Sequence, residues 1–288
     1  MKIVVTGAAG MVGSALVRGL APEHDVVAVV HRTPLPADLR GVPAAPWDLH
    51  GPLPPALEAP ADAWIHCAAF TSVDGAEARP DEAWRVNVDG TRAAARAAAA
   101  AGARMVYVST DAVFDGTRGL YAEEDAPAPV NAYARGKLAG EAEAAAAPGA
   151  LVVRMNVVSR GAGLVRWLLE AAGSGAAVPL FRDVFFNPVP VDAFAGLVLG
   201  LLGRGAQGVV HLGSAEVLSK AQFGRLVLAH AGLGAAPVVE QDLRDAGLRA
   251  PRALDTSLCT LHARRMGLRM PSLNTLFSTL HDAQRPQG

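Results

Sequence analysis

The chain has 288 residues, 51% of them hydrophobic and 18% charged, with 26 basic against 27 acidic side chains. That composition buries a large core and excludes intrinsic disorder, while a formal net charge of −1 leaves no basic field to hold a nucleic-acid backbone. The two cysteines, Cys67 and Cys259, lie far apart with no paired motif, so neither a disulfide framework nor a zinc site is expected and a cytoplasmic location fits.

The opening residues carry no apolar leader followed by a small-residue cleavage site, and Lys2–Thr6 reads as a strand. A helix is expected at Met11–Leu20, then strands at 26–30 and 44–47 separated by a proline-rich connection. Strands at 63–67, 104–109 and 151–155 alternate with helices at 81–101 and 132–147. The strands are short and rich in Val, Ile and Met, as doubly buried parallel strands should be. This alternation predicts an α/β fold with a doubly wound parallel, Rossmann-like sheet.

Beyond residue 155 the rhythm is less regular. Helices are expected at 161–172, 192–203, 220–231 and 272–282, with extended chain at 179–191 and a strand at 208–212. The expected organisation is an NAD(P)-binding domain at 1–155. Residues 156–288 would form a smaller, mainly substrate-binding lobe, some of whose elements return to the sheet. The longest apolar stretch, residues 193–203, is too short for a hydrocarbon layer that needs roughly 20 residues, so no membrane span is expected.

Gly7, Gly10 and Gly13 recur at intervals of three directly after the first strand, with Met11 and Val12 opening the helix between them. Gly7 permits a tight turn, Gly10 lets backbone N–H groups approach a pyrophosphate, and Gly13 allows close helix–strand packing. The end of the second strand carries His31, Arg32 and Thr33 and no acid to hold a ribose 2′-hydroxyl. Arg32 suits a 2′-phosphate, so NADP(H) is preferred and NAD(H) remains open. Asp48 and Leu49 follow the third strand, where Asp48 can meet the adenine amine.

Tyr133 and Lys137 stand at i and i+4 on one helix. With three Tyr and three Lys in the chain, chance placement gives about 0.03 such pairs. A nearby ammonium is expected to lower the phenol pKa and make Tyr133 a usable acid or base. Ser109, Thr110 and Asp111 end a strand at the carboxyl edge of the sheet, where ligands bind, and a hydroxyl there can orient a carbonyl oxygen toward Tyr133.

These segments carry a resemblance. Residues 6–13, 67–71, Val73-Asp74, 86–91, 108–116, 133–137 with Gly140-Glu141, Arg154, 188–192 and 254–256 resemble, in order, the extended short-chain dehydrogenase/reductases. More narrowly, they are similar to the dTDP-4-dehydrorhamnose reductase family of sugar-nucleotide 4-ketoreductases. The resemblance implies hydride transfer from NADPH to the ketone of a nucleotide-linked 4-keto-6-deoxy sugar or a related small ketone. Tyr133 would protonate the oxygen, Thr110 would orient it, and Lys137 would hold the cofactor ribose. Ala68 and Ala69 would line the cofactor cleft, and Asn87 would support the backbone around it. Two substrate-facing features differ: Ala112 stands where the family commonly has Tyr, and residues 155–159 replace a Thr-Ser-Trp-Val-Tyr run. Asn156 and Asn187 are the candidates for substrate recognition in their place. The alternatives are an epimerase or dehydratase of the same superfamily, or a non-catalytic NAD(P)-binding regulatory subunit. No metal is expected, and the sequence leaves the oligomeric state open, a homodimer included.

Overall fold

Alternating side chains along each short strand supply two apolar faces, and the helices between strands cover both. In this computed structural model, which describes residues 1–282, the chain begins with β1 (Lys2–Thr6), α1 (Met11–Leu20), β2 (Asp25–Val30) and β3 (Ala44–Pro46). It continues through β4 (Ala63–His66), α2 (Val73–Ala78), α3 (Pro80–Trp84), α4 (Gly90–Ala100), β5 (Arg104–Val108), α5 (Ala132–Ala145) and β6 (Leu151–Arg154). Shorter pieces follow: β7 (Val157–Val158), α6 (Gly163–Gly173), β8 (Val178–Phe181), β9 (Phe185–Phe186) and β10 (Val189–Pro190). Then come α7 (Phe194–Gly203), β11 (Gly208–His211), β12 (Leu218–Ser219), α8 (Lys220–His230), β13 (Val238–Gln241), α9 (Leu261–Arg265) and α10 (Asn274–Asp282).

The central sheet has seven parallel strands in the order β11-β6-β5-β4-β1-β2-β3. The order reverses at β1, where Val4 faces Val27 on one side and Trp64 on the other. A crevice opens at the carboxyl ends of the strands at such a reversal, and ligands bind there in open α/β sheets.

Ile3 and Val5 point to one face, where Leu16 and Leu20 of α1 and Phe194 and Val198 of α7 complete a core. Val4 points to the other face, among Trp64, Met105 and Val152 and the alanines Ala94, Ala98 and Ala144 of α4 and α5. The alanine runs thus serve as thin helix faces that lie close on the sheet. A third core, around Leu168, Leu180, Phe186, Phe223 and Phe277, holds α6, α8 and α10 together. The second half of the chain is therefore divided between the main sheet, which receives α7 and β11, and this separate cluster.

The helix expected over 81–101 is continuous but not uniform. Residues 85–89 form a π turn between α3 and α4. The wider turn turns Asn87 inward, where it is 1% exposed, and π turns of this kind recur at functional sites. Several short elements have no counterpart in the sequence reading, among them α2 and β13, which pairs in parallel with β8. Among the described residues, no helix is long and apolar enough to cross a membrane.

Candidate active site

The first loop of the sheet forms a cradle that has no room for side chains. Gly7 has φ +64°, and a Cβ there would lie 2.6 Å from the Ala68 nitrogen. A Cβ on Gly13 would lie 2.2 Å from the Gly7 carbonyl oxygen. Gly10 caps α1 with no side-chain hydrogen bond to the helix, so the first turn presents backbone N–H groups, a fitting partner for a dinucleotide pyrophosphate. Met11 and Val12 of that turn, with Cys67 and Ala69 from the loop after β4, line a cavity of about 460 Å³. Asn87 holds this second loop by donating to the Phe70 carbonyl at 3.1 Å and accepting from the Phe70 amide at 2.8 Å.

The loops after β2 and β3 are open to solvent. Arg32 and Asp48 are both exposed. One Asp48 carboxylate oxygen accepts from the His50 amide at 3.1 Å, and this bond lowers its pKa. Leu49 packs half-buried against the alanine-faced core, in the place that Gly90 leaves open.

At the other end of the same cavity stand Thr110, Tyr133 and Lys137. Helix α5 begins at Asn131, whose side chain accepts from the Ala134 amide at 2.9 Å and donates to the Pro251 carbonyl at 3.0 Å. Gly140 lets the helix settle on the sheet, since a Cβ there would lie 2.4 Å from the Tyr107 hydroxyl. The next residue, Glu141, stands one turn beyond Lys137. It accepts from the Ser109 hydroxyl at 2.5 Å and pairs with Arg154 at 2.7 Å, both members of the ion pair being at most 7% exposed. One helix therefore carries the phenol, the amine and the carboxylate that ties it to the ends of β5 and β6.

The electrostatics differ from the expectation of an acidified phenol. Burial pushes the Tyr133 phenol up to about 12; a hydrogen bond with Thr110 lowers it and the Asp111 charge raises it. Lys137 does not set that value. Its ammonium donates to the Val108 carbonyl at 2.7 Å and lies over the Tyr107 ring. Burial brings Lys137 down to about 7, partly offset by the negative charge of Glu141. At neutral pH the Tyr133 phenol thus keeps its proton.

Asp111 is the centre of a polar cluster that the sequence did not foretell. Its carboxylate, 3% exposed, accepts from Thr110 at 3.1 Å, Asn156 at 3.0 Å and Thr256 at 2.6 Å. Asn156 lines the cavity, but its amide is engaged by this carboxylate. Asn187 is a correction: it is buried outside the cavity lining, and both ends of its amide bond the Leu258 backbone at 2.9 Å. A polar side chain that bridges a buried backbone segment in both directions is structural. The distal wall comes from Phe181, Phe186, Lys220, Leu243, Leu248 and Arg252, residues scattered over some 70 positions whose convergence no local motif signals. Among the described residues no cluster of potential metal ligands is present.

Comparison with known proteins places these features. The family described as RmlD substrate binding domain matches residues 1–279. A probable low-salt glycan biosynthesis reductase of Haloferax volcanii is 34% identical over 271 residues, 90% of this chain and 89% of its own length. The dTDP-4-dehydrorhamnose reductase of Mycobacterium tuberculosis is 35% identical over 242 residues, 80% of this chain and 76% of its own. Among solved structures, a Bacillus anthracis dTDP-4-dehydrorhamnose reductase in complex with NADP superposes with a TM-score of 0.82. It is 25% identical and covers 98% of this chain and 99% of its own.

Proposed function

The chain belongs to the RmlD substrate binding domain family, and from that premise we propose an NADPH-dependent reductase of a nucleotide-linked 4-keto-6-deoxy sugar. One observation carries the proposal: Thr110, Tyr133 and Lys137 line the same cavity as Met11 and Val12 of the glycine cradle. The phenol and the start of the glycine-turn helix thus face one cavity.

When bound, NADPH supplies a hydride. The chain's own residues do the rest. Gly7, Gly10, Gly13, Met11 and Val12 would seat the pyrophosphate on the start of α1. Arg32, exposed and without an acid beside it in sequence, is the side chain suited to a 2′-phosphate, with Asp48 and Leu49 flanking the adenine. Ala68 and Ala69 pass the cofactor without bulk. Lys137 would hold the ribose, and Thr110 would hold the ketone oxygen.

Tyr133 then moves its phenolic proton to that oxygen as the carbon accepts hydride. A phenol held protonated by burial is matched to donation, the direction a reductase needs. An epimerase or dehydratase needs a further acid or base near the threonine. The one carboxylate lining this cavity, Asp111, is already engaged by three donors.

The test is direct. Purified protein given dTDP-4-dehydrorhamnose should oxidise NADPH with saturation in both substrates and prefer NADPH to NADH. No oxidation with this or any other nucleotide-linked 4-keto sugar would reject the proposal.

A further inference from the structure

Four charged side chains line the cavity: Asp111, Lys137, Lys220 and Arg252. Three have protein partners. Asp111 accepts from Thr110, Asn156 and Thr256. Lys137 donates to the Val108 carbonyl. Arg252 pairs with Asp74 at 2.8 Å and donates to the Ala250 carbonyl at 3.0 Å. Lys220 is different. Its ammonium rests on the face of Phe186, 3.1 Å from the ring centre, and among the described residues no carbonyl or carboxylate accepts from it.

The backbone that carries Lys220 is firmly held. Ser219 and Gln222 cap α8 reciprocally, and the Lys220 amide donates to the Val184 carbonyl at 2.8 Å. The opposite charge acting on its ammonium is Asp111, the neighbour of Thr110. Lys220 therefore presents its amine to the same cavity that Thr110 and Tyr133 line. Burial brings its pKa down to about 7, the mark of an ammonium deprived of acceptors.

We propose that Lys220 is a specificity-determining residue whose ammonium donates to a hydroxyl oxygen of the sugar. The inference rests on the reductase reading and deepens it, because it assigns the site to a hydroxylated keto sugar rather than to a deoxygenated one. A hydrogen bond from this ammonium to such an oxygen replaces the missing protein acceptor. A sugar without that hydroxyl leaves the cation unpaired, which is how a polar site rejects an analogue. The aromatic ring beneath keeps the ammonium in place.

Calorimetric binding of two probes tests this: dTDP-rhamnose, the product that reduction of dTDP-4-dehydrorhamnose yields, and dTDP, which lacks the sugar. Wild-type protein should bind dTDP-rhamnose more tightly than dTDP. Lys220→Met keeps the length and the apolar contact with Phe186, and it should weaken dTDP-rhamnose by about tenfold to a hundredfold with dTDP unchanged. Lys220→Arg should keep most of the margin. Equal weakening of both probes would place the cation on the diphosphate and overturn the inference. So would no weakening of either, or no binding of either by wild type. Turnover by wild type with an unaltered margin in Lys220→Met rejects only this inference; an intact Lys220-dependent margin without NADPH oxidation rejects only the reductase reading.

Discussion

The Lys137 ammonium donates to the Val108 carbonyl oxygen at 2.7 Å, which ties α5 to the end of the strand that delivers Thr110. Tyr133 precedes Lys137 by one helical turn, so this bond helps to fix where the phenol stands relative to the Thr110 hydroxyl. The contact is fully enclosed, with Lys137 only 3% exposed. Under the proposed function this lysine has two tasks, holding the helix and holding the cofactor ribose.

Lys137→Met removes both. The expected result is a fall in kcat by about 100-fold or more together with a raised KM for NADPH. Initial rates at varied NADPH check it. A change in kcat alone would mean that the amine does not bind the cofactor.

The glycine cradle makes a graded prediction. Gly13→Ala puts a methyl 2.2 Å from the Gly7 carbonyl oxygen and 2.7 Å from its carbon, both backbone atoms that cannot swing aside. It should cost about 1–3 kcal/mol of stability and abolish measurable NADPH binding. Gly10→Ala meets the Gly7 oxygen at 3.2 Å and should be milder on both counts. Fluorescence titration with NADPH and urea unfolding distinguish the two.

Glu141 and Arg154 form a buried pair beneath the site, with two further bonds from the Arg154 Nε at 2.9 and 3.2 Å. Glu141→Gln leaves the guanidinium without its counter-charge. It should destabilise the protein by about 3–5 kcal/mol, read as a lower urea midpoint at constant slope. A loss under about 1 kcal/mol would show that Arg154 finds other acceptors.

Much of this site was legible in the sequence, for local reasons. The glycine spacing encodes a turn, and the Tyr133–Lys137 interval encodes one helix face. Each signal is contained within eight residues. The Ser109–Thr110 hydroxyls were found because they end an apolar run that reads as a strand, and the family resemblance singled out Thr110. The Lys220 wall was not legible, since that residue stands at the first position of an ordinary helix and gains its meaning from Phe186 and Asp111. Asn187 misled for the converse reason. Asparagine beside an extended segment reads equally as a ligand contact or a backbone bridge, and Leu258, its partner, lies 71 positions away. The π turn at Asn87 carries no compositional mark at all, because it inserts into an otherwise good helical sequence. The sequence also suggested a phenol acidified by its amine neighbour, whereas burial raises the phenol here and Lys137 is not among the groups that shift it.

Acid stability should report two buried histidines. Burial holds His66 down to about 3, and burial with the Arg154 charge holds His211 down to about 4, both from 6.5. The unfolded chain takes up protons near pH 6.5 while the folded protein stays neutral at these sites. Unfolding therefore binds protons, and stability falls as pH drops below 6.5 toward 4. Urea midpoints across that range check it, and His66→Gln should reduce the slope by about one proton. A slope unchanged in that variant would show that His66 is already protonated in the fold.

The central claim is that hydride and proton reach one ketone in a single cavity, the proton from Tyr133. Transfer of deuterium from 4,4-dideuterated NADPH to dTDP-4-dehydrorhamnose, followed by mass spectrometry of the sugar, tests it most directly. With wild-type protein each NADPH consumed should leave one deuterium on the carbon that was the ketone. In Tyr133→Phe the rate should drop by about 100-fold to 10,000-fold with NADPH affinity retained. NADPH oxidation without deuterium on the sugar, or undiminished transfer in the Phe variant, would contradict the account.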